Sequence, residues 1–207
     1  GFWNGVYWEG GTQHPITTSS GGSVGDANAV NSDGSVIVGS FYGDQAWRWT
    51  ESTGAVGIGV LPGFNFSGYA FDVNESGDTI VGTCGFGWDR DAFIWMQELG
   101  MVKLDTWLAG QGVDVSGWDL GSATAISDDG KVIAGWGSGP DGLQGWVVEF
   151  EIDLPADVNN DGLDDIYLPQ PTGLPNTLLT QVTPGVFEDH SVKSQLDFLE
   201  SSRSALF

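Results

Sequence analysis

Positive charge is scarce in this chain. Six Lys and Arg stand against 28 Asp and Glu, a formal net charge of −22. A surface of that sign repels nucleic-acid phosphates and anionic lipid headgroups, so neither is expected as a partner. It keeps a protein solvated and draws cations. Cys84 is the only cysteine, which rules out an intrachain disulfide framework. His14 and His190 are the only histidines, too few for a histidine-rich metal centre. No apolar run approaches the ~20 residues that a membrane-spanning helix needs, so this segment should not insert into a membrane. Nucleophilic catalysis also lacks a signature. There is no Gly-x-Ser-x-Gly elbow, and Cys84 has no histidine near it in sequence. Carboxylates are so frequent that a pair suited to glycoside hydrolysis would be legible only in space. No catalytic residue is assigned.

Glycine and tryptophan are abundant, at 33 and 10 residues. Short apolar runs broken by Gly, Asn, Asp and Ser favour many short strands joined by tight turns. Two phrases recur in order. The first, Ala-x-x-Val-Asn-x-x-Gly-x-x-Ile-Val-Gly, spans Ala70 to Gly82, with variants at Ala27 to Gly39 and Ala123 to Gly135. The second is Ala-aromatic-x-Trp at Ala92 to Trp95, then Gly100 to Leu104. Its variants are Ala46 to Trp49 with Gly54 to Val56, and Gly145 to Val148. The turn glycines Gly34, Gly77 and Gly130 stand 43 and 53 residues apart, and a period in the forties with four short apolar runs per unit is a propeller-blade signal.

The expected fold is therefore all-β: β-propeller-type blades of short antiparallel strands, part of a larger propeller or repeat array, with almost no helix. Residues 1–153 divide into a partial unit at 1–22 and units at 25–66, 67–119 and 121–153. In the first full unit, strands are expected near 27–31, 35–40, 45–50 and 55–61. Loops are expected at Gly85 to Arg90 and Gly137 to Gly142, with an insertion from Asp105 to Trp118. The chain opens on the second phrase without the first, so it reads as starting inside a repeat, with targeting information upstream. Trp8, Trp49 and Trp95 recur in register, as do Trp47 and Trp146, and all five read as blade packing. Trp49 and Trp95 should be equivalent and mostly buried. Trp88, Trp118 and Trp136 lack such partners and lie beside Gly-rich or Asp-bearing segments. They either plug a blade edge or stand exposed to stack on sugar rings.

The residues Asp91-Ala92-Phe93-Ile94-Trp95 with Gly100-Met101, and the Ala-x-x-Val-Asn-x-x-Gly lines, resemble the HAF-type extracellular repeat family over about residues 1–150. That resemblance implies propeller-like blades and an extracellular or cell-surface setting, but no single activity. Asp91 and Gln45 depart from it, standing where the family often has His.

The pattern changes at Leu154-Pro155. Asp157-Val158-Asn159-Asn160-Asp161-Gly162-Leu163-Asp164-Asp165-Ile166-Tyr167-Leu168 opens a unit at 154–207 that resembles the FG-GAP/VCBS repeat, the calcium-binding blade of integrin-like propellers. Ligand positions 1, 3 and 5 would be Asp157, Asn159 and Asp161. Gly162 permits the sharp turn, the Leu163 carbonyl takes position 7 and Asp165 position 9. This spacing wraps oxygens around a hard cation such as Ca²⁺. Position 12 is Leu168 rather than the glutamate of an EF-hand, and the strand-like 165–168 favours the blade-type loop.

These features lead to an extracellular, non-catalytic, calcium-stabilised propeller segment for binding or adhesion, with a carbohydrate or protein ligand on its loop face. The alternative is the propeller part of a secreted carbohydrate-active enzyme, with its site in further blades or a central channel. A structural spacer is a third reading.

Overall fold

The structure is a computed structural model. It describes residues 5–41, 44–65, 67–97 and 99–150, and the backbone of strands at 166–168, 177–183 and 186–189. Two compact units divide the chain: Gly1–Ala109 with Val113–Phe150, and Gly110–Gly112 with Glu151–Phe207.

The first unit begins with a hairpin of β1 (Val6–Glu9) and β2 (Thr12–Pro15). A four-stranded sheet follows, in the order β3 (Asp26–Val30), β4 (Ile37–Ser40), β5 (Ala46–Thr50) and β6 (Gly54–Gly59). The next is β7 (Gly68–Val73), β8 (Thr79–Phe86), β9 (Asp89–Met96) and β10 (Gly100–Lys103). A helix, α1 (Leu104–Gly110), leads to a three-stranded sheet of β11 (Asp119–Ile126), β12 (Val132–Gly139) and β13 (Gly142–Glu149). Within each of these sheets the named strands pair antiparallel with their neighbours in sequence, so each is an up-and-down meander of the propeller-blade type. In the second unit β14 (Ile166–Leu168), β15 (Thr177–Thr183) and β16 (Val186–Asp189) form another antiparallel meander.

The first phrase builds the same structure three times. Asn31, Asn74 and Ser127 open the turn between the first two strands of a blade. Their side-chain oxygens accept from the N–H of Val36 (2.9 Å), Thr79 (3.0 Å) and Val132 (2.9 Å). Their carbonyls accept from the N–H of Gly34, Gly77 and Gly130, each at a φ between 71° and 77°. Only glycine takes that conformation without strain. A bulge interrupts the first strand between Ala27 and Ala29, Ala70 and Asp72, and Ala123 and Ala125.

The second phrase supplies the core. Trp47, Phe93 and Trp146 lie opposite Gly39, Gly82 and Gly135 and are buried. Val38, Ala46, Ile80 and Phe93 join the first blade to the second. Val81, Ile94, Ile133 and Trp146, with Leu104 and Leu108 of α1, join the second to the third.

Several expectations need correction. Trp8 is 65% exposed and is no packing residue. Alternation along β1 turns the neighbouring Tyr7 toward the first blade instead. Tyr7 stacks on His14 (5.1 Å) and meets Trp49 (5.3 Å). Trp49 and Trp95 hold equivalent registers, opposite Ile37 and Ile80, as expected; Trp49 is buried and Trp95 is partly buried against the core shared by the first two blades. The 85–90 and 137–142 segments are not open loops. The strands run into them, leaving two-residue turns at Gly87-Trp88 and Pro140-Asp141. The insertion carries the seven-residue helix α1, just under two turns.

Candidate ligand-binding face

Trp88 sits at the tip of the β8–β9 hairpin, 83% exposed. Gly87 takes the first turn position at φ 61°, which matches strand twist and throws the next side chain outward. Arg90 donates from Nε to the Gly87 carbonyl (2.6 Å), which fixes its guanidinium over the Trp136 ring, 4.7 Å from the centroid. Trp88, Arg90 and Trp136 line one shallow depression with Asp119, Ser138 and Leu143, of about 20 Å³. Phe86, 57% exposed, meets Tyr69 edge-on (5.8 Å), and Tyr69 stacks with Phe71 (6.3 Å). Burial, helped by Asp26, pushes the Tyr69 phenol up, so it remains a neutral hydroxyl at neutral pH. This end of the second and third blades thus offers aromatic faces for stacking, a guanidinium as donor and a carboxylate as acceptor.

Of the three tryptophans singled out in sequence, the structure brings Trp88 and Trp136 together. Trp118 lies apart. Its loop is closed by Ser116 N–H donating to Asp114 Oδ1 (2.9 Å) and Trp118 N–H to Val115 O (3.1 Å). The Trp118 ring covers Gly139, where a Cβ would strike it, and lines a separate cleft of about 360 Å³ beside β13. Sequence reasoning missed Arg90, Asp119, Phe86 and Tyr69. No local pattern marks them, because their nearness depends on how two blades pack side by side.

The proposed metal ligands Asp157, Asn159, Asp161, Leu163 and Asp165 lie outside the described residues. Among the described residues no group of three or more His, Cys, Asp or Glu is placed to hold a metal. Cys84 is buried. Burial pushes its thiol up to about 11, against a lowering contact from the Leu61 N–H (3.4 Å) and a raising influence from Asp91. Among the described residues no helix is long and apolar enough to cross a membrane.

Fold and face together define a repeat protein of propeller-type blades with an aromatic loop end. No family model and no curated protein matches the chain. Among solved structures it is similar to TolB from Acinetobacter baumannii, at 12% identity and a TM-score of 0.45, over 88% of this chain and 46% of that one. It is also similar to a putative TolB from Agrobacterium tumefaciens, at 16% identity and a TM-score of 0.44, over 86% of this chain and 61% of that one. The chain thus spans about half the length of these structures.

Proposed function

We propose that this chain is a non-catalytic binding module of an extracellular or cell-surface protein, in which propeller-type blades present the Trp88 shelf to a carbohydrate. The observation that carries this reading is Trp88 itself. A large indole held 83% exposed on a two-residue turn gains nothing for the fold. With Arg90 and Asp119 beside it, the shelf suits a sugar ring, which offers an apolar face and a rim of hydroxyls. The charge of −22 favours neutral glycans over acidic ones.

The test is tryptophan fluorescence on titration with neutral oligosaccharides. Binding should quench or shift the emission, and Trp88→Ala should weaken it by about tenfold or more. No response to any neutral glycan, or an unchanged affinity in Trp88→Ala, would remove the shelf as a sugar site.

The resemblances to HAF-type and FG-GAP/VCBS repeats support the extracellular setting and a calcium loop at 157–165. Calcium bound there would add its binding free energy to folding. Calorimetric titration of calcium into chelator-treated protein should give heat and a raised Tm, with Asp161→Ala weakening the affinity. No heat and an unchanged Tm would leave the loop as an acidic turn.

A further inference from the structure

We propose that the Trp88 shelf binds the interior of a long neutral glycan chain, laid across the hairpin tips of the second and third blades, with Phe86 and Tyr69 as a second platform. This rests on the carbohydrate reading of the shelf and adds the length of the ligand and the part of it that is held.

The internal repeat brings the tips to one end of the first unit. Gly39, Gly82 and Gly135 pair with Trp47, Phe93 and Trp146, so the hairpin joining the second and third strands of each blade projects the same way. In the first blade β4 ends at Ser40, whereas β8 and β12 run on to Phe86 and Gly139. The longer hairpins carry the exposed groups, Phe86 and Trp88 in the second blade and Leu143 in the third. Arg90 over the Trp136 ring joins these two tips.

Depth excludes a single enclosed sugar. The depression of about 20 Å³ has room for little more than one water molecule. Pockets that enclose a small ligand measure roughly 300 Å³ or more. A lone sugar on this shelf would keep one face in solvent, so affinity must come from several rings placed side by side. The second platform lies next to the first. Phe86 and Trp88 flank Gly87, with Cα atoms at most about 7 Å apart. Phe86 shares a strand face with Cys84, which packs between the first two blades, while Trp88 and Arg90 line the depression toward the third. Phe86 also meets the Tyr69 ring edge-on (5.8 Å). The two platforms therefore stand on opposite sides of one hairpin. A ligand that uses both must cross its tip, and only an extended chain does so.

The polar groups along that path suit hydroxyls. Arg90 is held by its Nε, and among the described residues its Nη groups have no partner. They are donors for sugar oxygens, while exposed Asp119 and Ser138 accept from sugar hydroxyls. A polyanion would meet a chain of net charge −22, and a polycation would meet Arg90 at the tip.

Calorimetric titration with cello-, manno- and xylo-oligosaccharides, from disaccharide to hexasaccharide, tests this. In the series that binds, affinity should rise about tenfold or more with length, as the second platform engages intramolecularly. Phe86→Ala should remove that rise and leave the disaccharide unchanged. Its circular dichroism and Tm should hold, because the ring is more than half exposed. Phe86→Tyr, which keeps a ring, should keep the rise. Trp88→Ala should weaken every length. Reducing the terminal sugar to its open-chain alditol should leave the hexasaccharide's affinity unchanged, since the interior is held. A hexasaccharide no tighter than the disaccharide, a rise that survives Phe86→Ala, or binding lost on reduction would overturn the proposal while leaving Trp88 as a site for a short sugar. Tighter binding of hexagalacturonate than of any neutral chain would overturn it in favour of an acidic glycan. No binding by any chain would remove the carbohydrate reading of the shelf, and this proposal with it.

Discussion

At Gly39, Gly82 and Gly135 the side chain is excluded by contact rather than by turn geometry. A Cβ would run into the carbonyl oxygens of Asp26, Tyr69 and Ser122, and into the rings of Trp47, Phe93 and Trp146. The bulge in the first strand brings that carbonyl inward, and the missing side chain lets the aromatic lie flat across the sheet. Gly82→Ala should therefore cost about 3 kcal/mol or prevent folding, read as a shifted denaturation midpoint at constant slope. Ser67 presents the opposite case. It holds φ at 77°, is 1% exposed, and its Oγ has no hydrogen-bond partner. Relief of left-handed strain and of a buried hydroxyl outweighs the extra freedom glycine gives the unfolded chain. Ser67→Gly should stabilise by about 1 kcal/mol, and a lower Tm would refute this. Cys84 should resist thiol reagents in the native state. Its folded value of about 11 exceeds the ordinary 9.0, so its contribution to stability is complete below pH 9 and is lost as pH rises toward 11. Cys84→Ala should flatten that alkaline decline.

Among the elements, the turns were most legible and the connections least. The Asn-x-x-Gly phrase needs only local chemistry, a side-chain acceptor and a left-handed glycine, and both are written in four residues. The second turn is the richest. Asn74 Nδ2 donates to Ser76 Oγ (2.9 Å) and Asp78 Oδ1 (2.8 Å), while Asn74 Oδ1 accepts from Thr79 N–H. Burial alone would raise the Asp78 carboxyl, but hydrogen bonds from Asn74, Ser76 and Thr79 override it and hold it below 3.8. Asn74→Ala should cost about 1–2 kcal/mol, more than Ser127→Ala, which loses one acceptor and one short hydroxyl contact. Because the Asp78 value is depressed, its contribution is present above 3.8 and lost as pH falls. Asp78→Asn should therefore soften acid unfolding. The helix was not legible: Leu104, Trp107 and Leu108 have helical spacing, but two turns are too few for a period to stand out. The exposure of Trp8 was not legible for a related reason. Sequence register gives a position within a sheet, whereas depth depends on what packs against that face. The partnership of Trp88 with Arg90 and Trp136 joins two blades and has no local signature at all.

Across the first unit, the blades are coupled side by side. Asn28 Nδ2 donates to Ala70 O (2.8 Å), Asn31 Nδ2 to Glu75 O (2.9 Å) and Arg48 Nε to Gly77 O (2.9 Å), tying the first blade to the second. Glu75 N–H donates to Asp128 O (3.0 Å), Thr83 Oγ1 to Gly121 O (2.8 Å), and Asp72 Oδ2 accepts from Ile126 N–H (2.9 Å), tying the second to the third. With a shared apolar core beneath each junction, these blades should melt together. Self-repulsion opposes that cohesion. At −22, compacting the chain brings like charges within the ~10 Å over which they act at 0.1 M salt. The repulsion is screened by added salt, while the apolar cores are not weakened by it. Raising sodium chloride from ~0.02 to ~0.5 M should therefore raise the Tm of the first unit's transition by several degrees. The transition should remain single. A Tm that falls with salt would mean that specific ion pairs, such as Lys103 with Asp91 and Asp105, outweigh the net charge. A transition that splits in Asp72→Ala but not in the parent would locate the weakest junction between the second and third blades.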